Sequence, residues 1–192
     1  MTANSKYIAD PQRIEAALSN RTIALVGLMG AGKSTVGRRL ADVLGRKFYD
    51  SDTEIEKAAG LSIADIFTLH GEAEFRRGEH RVLERLLSET PHVLATGGGA
   101  YLNPETRELL RQKAVTIWLN ADLETLWRRV SRRSHRPLLK TENPKGVLSR
   151  LLTERTPIYE KADLVVESQE GPHRATVNSI LRALETWTGE RE

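Results

Sequence analysis

Short apolar runs alternate along this chain with longer segments whose apolar residues recur at helical spacing. Five runs predict strands: TIALVG (22–27), KFYDS (47–51), HVLAT (92–96), VTIWL (115–119) and DLVVE (163–167). Helices are predicted to begin near Lys33, Ala73, Pro104, Leu123, Val147 and His173, with a shorter helical pair between residues 53 and 70. This alternation is typical of a three-layer α/β/α fold, in which helices cover both faces of a parallel sheet.

The two ends of the chain differ in character. Residues 1–20 resemble an appendage, in which Asp10 and Pro11 form a cap and first-turn pair ahead of Ile14 and predict a short helix outside the sheet. The last helix places apolar residues on one face, as expected for a core helix. With 192 residues and 39% hydrophobic content, we expect a single domain over residues 21–188, preceded by an N-terminal arm and followed by a tail at 189–192.

One segment interrupts the alternation. SHRPLLKTENPKG, residues 134–146, contains two prolines and several polar residues. Connections in α/β domains are usually shorter, and loops of about a dozen residues are often active-site lids. The sequence therefore predicts a mobile lid there, with an acceptor-binding region at about 53–80.

Composition narrows the class of protein. The net charge of +3 is small, so general attraction to nucleic acid or membrane is not implied. Cysteine is absent, which excludes disulfides and thiol chemistry and suits a reducing compartment. The apolar runs are far shorter than a membrane span, and the N-terminal residues lack the apolar core of a signal peptide. We expect a cytoplasmic protein, a monomer, with no nucleic-acid or membrane partner.

The stretch GLMGAGKS follows the first predicted strand and opens a helix. It matches GxxxxGK[ST] at Gly27, Gly32, Lys33 and Ser34 in the strand–loop–helix context that identifies a P-loop. Such a loop cradles phosphate oxygens with its backbone N–H groups, while its lysine reaches the β- and γ-phosphates and its Ser/Thr hydroxyl ligates Mg²⁺. The predicted ligand is a nucleoside triphosphate with Mg²⁺. Whether water or a substrate receives the γ-phosphate remains open at this point.

Candidates for the acceptor site follow the other strands, because ligands of open α/β sheets bind at the carboxyl ends of the strands. Asp50 and Asp52 end the second strand and, on an extended segment, would point to opposite sides. One could serve the Mg²⁺ shell and the other an acceptor hydroxyl. Alternatively, Asp50 is a turn residue and Asp52 caps the next helix.

Glycines and arginines supply further candidates. Gly97, Gly98 and Gly99 follow the third strand and would let a ligand approach the backbone, or else form a hinge. Arg76 and Arg77 lie off the apolar stripe of their helix, and position alone does not separate a binding residue from a surface one.

A second cluster places Arg128, Arg129, Arg132, Arg133 and Arg136 within nine residues. Like charges at helical spacing repel unless an anion compensates them, and ATP is the simplest anion. Arg136 begins the predicted lid and could swing onto the transferring phosphate, where such an arginine is worth roughly 10³ to 10⁵ in rate.

Taken in order, six segments resemble the shikimate kinases: GLMGAGKS, FYDSD, GEAEFR, LATGGG, HRPLL and ERTPIYE. The resemblance spans about residues 22–184 and leaves out the N-terminal arm. It implies a nucleoside monophosphate kinase-like fold with a five-stranded parallel sheet in the order 2-3-1-4-5. It also implies transfer of the γ-phosphate of ATP to the 3-hydroxyl of shikimate, on the route to chorismate.

The resemblance also implies roles for individual residues on the donor side. ATP would bind the loop residues Gly30, Ala31, Gly32, Lys33, Ser34 and Thr35. Ser34 and, through water, Asp50 would serve Mg²⁺. Lys33 and Arg136 would carry the developing phosphate charge, and Pro172 with Arg129 or Arg132 would sandwich adenine.

On the acceptor side, the resemblance implies that Asp52 holds the acceptor hydroxyls and takes the proton. Arg76 and Arg155 would grip the shikimate carboxylate, and Glu79 would steady Arg76. Gly97, Gly98 and Gly99 would lie along the ring.

Other functions share some of these features. A small sugar-acid kinase such as gluconate kinase, or a nucleotide kinase, has the same loop and sheet. A regulatory module would bind the triphosphate without transferring it, but would leave Asp52 and the three glycines without a function.

Overall fold

The computed structural model describes residues 9–18, 20–132, 142–168 and 171–189, apart from the side chain of Thr188. Within these ranges the strands are β1 (Thr22–Val26), β2 (Phe48–Asp50), β3 (Val93–Ala95), β4 (Ala114–Asn120) and β5 (Leu164–Glu167). The helices are α1 (Pro11–Ala17), α2 (Lys33–Leu44), α3 (Ser51–Ala59), α4 (Ile63–Leu87), α5 (Pro104–Lys113), α6 (Leu123–Ser131), α7 (Pro144–Tyr159) and α8 (His173–Gly189).

The five strands form one parallel sheet in the order β2-β3-β1-β4-β5. The central strand β1 is buried along its whole length because helices cover both faces. Leu25 of β1 is in register with Ala95 of β3 and with Ile117 of β4. The predicted fold class and strand order are thus confirmed, and the carboxyl ends of β1, β2 and β3 meet at one edge of the sheet.

The helix boundaries agree with the sequence prediction around Gly71 and differ from it at α7. Gly71, with φ 76° and ψ 172°, is non-helical and divides α4 into two helical segments. The second segment therefore starts close to the predicted Ala73, and glycine adopts this left-handed φ at little cost. Helix α7 begins at Pro144 rather than near Val147, since the Asn143 side chain accepts a hydrogen bond from the Gly146 N–H at 2.9 Å.

The predicted lid at 134–146 overlaps α7 at its end, and residues 134–141 lie outside the described residues. At the other end of the chain, α1 packs against α2 and α8. Ile14 and Leu18 are fully buried, and Glu15 forms an ion pair with Arg46 at 2.7 Å. Helix α1 therefore lies outside the sheet but contributes to the core.

None of the helices in the described ranges has both the length and the apolar character of a membrane span.

Candidate active site

The loop between β1 and α2 has the backbone of a phosphate cradle. Gly27, Gly30 and Gly32 take φ values of 133°, 86° and 94°, which residues with a Cβ rarely adopt. Gly32 is the N-cap residue of α2 and has no capping side chain. The backbone N–H groups of a helix's first turn have no partner within the helix and, together with the helix dipole, favour an anion.

Lys33 is buried inside this loop. Its Nζ donates hydrogen bonds to the carbonyl oxygens of Gly27 at 2.7 Å and Leu28 at 3.0 Å. Lys33 is the first residue of α2, and the carbonyls of the loop hold its ammonium group within the phosphate cradle.

Arg129 and Ser168 support the cradle from behind, and sequence reasoning missed this support. Arg129 Nη1 donates to Gly30 O at 3.2 Å, to Ala31 O at 3.3 Å and to the Ser168 hydroxyl at 3.0 Å. The buried Ser168 hydroxyl donates to Ala31 O at 2.8 Å. Burial lowers the pKa of Arg129. Ser168 directly follows β5, so the carboxyl-end rule applied to the fifth strand could have found it.

Ser34 and Asp50 meet at the start of α2 and α3. The Ser34 hydroxyl donates to Asp50 Oδ2 at 2.5 Å, and Asp50 Oδ1 accepts from the Asp52 N–H at 3.1 Å. Hydroxyl and carboxylate oxygens are hard ligands that suit Mg²⁺, which also takes phosphate oxygens and water. The described residues contain no cluster of three or more acidic, histidine or cysteine side chains that could hold a metal by themselves. This pair therefore fits a magnesium ion that shares its ligands with a bound phosphate.

The expected geometry of the two aspartates was wrong. Strand β2 ends at Asp50, which is the N-cap of α3, and Asp52 lies in the first turn of that helix instead of on an extended segment. The two side chains consequently do not point to opposite sides of a strand. Both line the same cavity.

That first cavity has a volume of about 510 Å³ and contains most of the predicted donor-site residues. Gly30, Gly32, Lys33, Ser34 and Thr35 line it from the loop side. Three arginines line it from α6 and its C-terminal end: Arg128, Arg129 and Arg132. The cavity thus combines the cradle with a cationic wall.

Three predicted donor residues are not among the described residues that line this cavity. Ala31 is buried, and its carbonyl is bonded to Ser168 and Arg129. Pro172 is exposed and lies between Gly171 and His173, both of which line the cavity. Arg136 lies outside the described residues.

A second cavity of about 520 Å³ adjoins the first. Met29, Asp52 and Gly98 line both cavities. The predicted acceptor residues Arg76 and Arg155 line the second cavity. Its remaining wall is largely apolar, with Phe67 and Phe75 in ring contact at a centroid distance of 4.5 Å.

The structure separates Arg76 from Arg77. Arg76 lines the second cavity and donates to Glu79 at 2.6 Å, while Glu72 lies 3.4 Å away. Arg77 instead pairs with Glu74 on the surface. Glu79 is only 2% exposed, and burial raises its pKa while the Arg76 charge opposes that rise. A buried carboxylate with an arginine partner holds the guanidinium firmly in one orientation.

Two of the three glycines leave room for protein side chains. A Cβ on Gly97 would lie 2.6 Å from Asp52 Oδ1, and a Cβ on Gly99 would clash with the Arg76 guanidinium. The Gly97 N–H donates to the buried Ser51 hydroxyl at 2.8 Å, a contact that sequence reasoning did not predict. Gly97 and Gly99 therefore let Asp52 and Arg76 approach the backbone, and all three glycines line the second cavity.

Comparison with known proteins identifies the family. A family model described as shikimate kinase matches residues 29–185. The chain belongs to the shikimate kinase family. A shikimate kinase of Rhodopseudomonas palustris is 52% identical over 91% of this chain and 87% of that protein. One of Caulobacter vibrioides is 56% identical over 88% of this chain and 84% of that protein.

Solved structures agree with the family. A shikimate kinase from Acinetobacter baumannii in complex with shikimate has a TM-score of 0.85 and 42% identity, covering 90% of this chain and 97% of that one. A gluconokinase from Sinorhizobium meliloti reaches a TM-score of 0.58 at 21% identity, over 90% of this chain and 95% of that one. The gluconokinase likeness shows the fold alone. Because the chain belongs to the shikimate kinase family, it is an ATP-dependent phosphotransferase of the P-loop class.

Proposed function

We propose that this chain transfers the γ-phosphate of ATP to the 3-hydroxyl of shikimate, giving shikimate 3-phosphate and ADP. The observation that carries the proposal is that Asp52 lines both cavities, so a phosphate donor in one and an acceptor in the other meet at its carboxylate. The structurally similar A. baumannii enzyme is in complex with shikimate, which supports the choice of acceptor.

ATP is assigned to the first cavity. The N–H groups of the loop at Gly30, Ala31, Gly32 and the following turn hold the phosphates, as in other P-loop enzymes. Lys33 exchanges its carbonyl partners for the β- and γ-phosphate oxygens. Thr35 lies beside it on α2, and Pro172 and Arg129 flank the adenine. Arg136 is assigned to the transferring phosphate.

Ser34 and Asp50 are assigned to Mg²⁺, with Asp50 acting through water. A bound magnesium ion neutralises charge on the phosphate oxygens and orients them. Ser34 and Asp50 would fix the position of the ion. The Asp50 carboxylate is itself held in place, because it accepts a hydrogen bond from the Asp52 N–H at 3.1 Å. A carboxylate fixed in this way needs little rearrangement during the reaction.

Shikimate is assigned to the second cavity. Arg76 and Arg155 bind its carboxylate through charge-assisted hydrogen bonds, each worth roughly 1.5 to 3 kcal/mol. Phe67 and Phe75 provide an apolar wall for the ring, and Gly97, Gly98 and Gly99 lie along its other side. Such a cavity selects a cyclic acid over a neutral sugar.

Asp52 is assigned to the acceptor hydroxyl. It accepts a hydrogen bond from the 3-hydroxyl, orients the oxygen toward the γ-phosphate and takes the proton as the new bond forms. Phosphoryl transfer depends on positioning and on stabilising phosphate charge rather than on a covalent intermediate. Lys33 and Arg136 supply that charge, and no protein nucleophile is needed.

An acceptor panel tests the function. Purified protein with ATP and Mg²⁺ should release ADP in proportion to shikimate, and not to gluconate or nucleoside monophosphates. Asp52→Asn should lower kcat by at least about a hundredfold, while Asp42→Asn, on the exposed side of α2, should not change it. Turnover with gluconate or a nucleotide alone would reject the proposal. ATP binding without any acceptor-dependent turnover would favour a regulatory module.

We further propose that the chain works as a monomer in the cytoplasm. Residues of one chain line both cavities, which supports the first point. The absence of cysteine supports the second.

A further inference from the structure

The carbonyl oxygen of Gly98 receives two donors from α7. The Tyr159 hydroxyl donates to it at 2.5 Å, and Arg155 Nη1 donates at 3.2 Å. Residues four apart on a helix lie on the same face, which explains why both reach one atom. Gly98 lines both cavities, so this shared carbonyl lies where the donor and acceptor sites meet.

The two donors differ in what surrounds them. Arg155 is half-buried and lines the acceptor cavity. Tyr159 is 1% exposed and is absent from the described lining of both cavities. Its ring stacks on Trp118 and Tyr101 at centroid distances of 6.0 and 6.4 Å. Tyr159 is therefore held by buried aromatic packing next to the site, while Arg155 faces the acceptor cavity.

We propose that Tyr159 is a positioning residue that frees Arg155 for the acceptor's carboxylate, by holding the Gly98 carbonyl when the guanidinium turns away from it. The proposal rests on the proposed function, because it concerns the carboxylate of the acceptor. Gly98 is half-buried, and a lone donor that leaves its carbonyl deprives it of a protein partner, which is costly once a bound ligand excludes water from the cavity. With Tyr159 in place, the shorter of the two hydrogen bonds remains, and the Arg155 guanidinium is available to an anion.

The environment keeps Tyr159 suited to this role. Burial raises the pKa of its phenol, so the hydroxyl stays protonated and able to donate at neutral pH. The charge of Arg155, a hydrogen bond with Arg155 and the charge of Arg76 oppose that rise in pKa. The Tyr159 hydroxyl thus has its partner in the Gly98 carbonyl, which it shares with the Arg155 guanidinium.

The matched pair Tyr159→Phe and Tyr101→Phe tests the proposal. Both remove one phenolic oxygen from the same aromatic stack, but only the first touches Gly98. Tyr159→Phe should raise the KM for shikimate and the Kd of shikimate in calorimetry by about tenfold, because Arg155 becomes the sole α7 donor to the carbonyl. The KM for ATP should stay within about twofold, and Tyr101→Phe should leave both constants unchanged.

A double-mutant cycle with Arg155→Ala separates positioning from a general structural role. If Tyr159 acts through Arg155, Tyr159→Phe should have no further effect on kcat/KM for shikimate in the Arg155→Ala background. An equal rise of both KM values, an unchanged KM for shikimate, or additive losses in the double variant would overturn the proposal. Wild-type protein without shikimate-dependent turnover would instead overturn the proposed function, and this inference with it.

Discussion

Asp52 packs directly against the backbone of Gly97, at the point where the two cavities meet. A Cβ on residue 97 would lie 2.6 Å from Asp52 Oδ1, a distance at which carbon and oxygen atoms overlap sterically. The Asp52 carboxylate can occupy its position because residue 97, which follows β3, is a glycine and has no side chain. Glu79 Oε1 lies 3.0 Å from the same point, so the crowding involves both acids.

Gly97→Ala should therefore displace Asp52 and reduce kcat/KM for shikimate by about a hundredfold, the cost of misplacing a reacting group by about 1 Å. Gly78→Ala is the matched control, because no atom lies within 4 Å of its added Cβ and alanine favours the helix. Steady-state kinetics on both variants would check this. Wild-type kcat/KM in Gly97→Ala would contradict the packing argument.

Arg155→Ala should raise the KM for shikimate far more than the KM for ATP. The lost charge-assisted hydrogen bond is worth roughly 1.5 to 3 kcal/mol, or about 10- to 150-fold. Arg150→Ala provides the control, since Arg150 lies on the same helix, is exposed and pairs with Glu154 at 3.8 Å. A uniform loss on both substrates would remove Arg155 from the carboxylate site.

Ser168→Ala should weaken ATP binding selectively. The substitution removes the hydroxyl that donates to Ala31 O at 2.8 Å and accepts from Arg129 at 3.0 Å, so the phosphate cradle loses part of its support. A hydrogen bond of this kind is worth about 1 kcal/mol, so the KM for ATP should rise about fivefold while that for shikimate stays constant.

Two further variants test whether the effect of Ser168→Ala comes from the lost hydroxyl. Ser168→Thr keeps the hydroxyl and should restore the KM for ATP. Ser179→Ala removes an exposed hydroxyl that bonds only within α8 and should have no effect. Failure of the threonine variant to rescue, with an unchanged melting temperature, would count against the hydroxyl's role.

The burial of His92 should make the protein less stable as the pH falls. It is fully buried at the start of β3, its Nδ1 lies 3.0 Å from Thr90 O, and burial lowers its pKa below the ordinary 6.5. Below pH 6.5 the unfolded chain binds a proton that the folded chain does not, so the free energy of unfolding decreases as pH falls. The slope from one such group approaches about 1.4 kcal/mol per pH unit at most.

Urea unfolding between pH 7.5 and 5.5 would measure this effect. His92→Gln cannot titrate and should show a shallower decline than the wild type. His70→Gln, at an exposed position of α4, should follow the wild-type slope. Parallel pH profiles for His92→Gln and the wild type would refute the assignment.

The sequence by itself determined the features that depend on neighbouring residues. The phosphate loop is contained within Gly27 to Ser34, so its spacing alone predicts the cradle. The helical repeat allows Arg76 to pair with Glu79, three residues away on one helix, and the family resemblance selected that pair. The strands β1, β3 and β4 were equally visible, because a strand covered on both faces is apolar along most of its length.

Only the tertiary structure decided how distant segments meet. The place of Ser168 directly after β5 makes it a candidate for the site, but the local sequence does not indicate that it contacts Ala31. Nor does it indicate that Ser51 holds Gly97 or that Tyr159 shares the Gly98 carbonyl with Arg155. The packing of helices on the sheet sets these contacts between residues 46 to 137 positions apart along the chain. The same packing places Asp52 between two cavities, a relationship that residue type and spacing suggest but cannot fix, because loops and strand ends acquire their geometry from what they pack against.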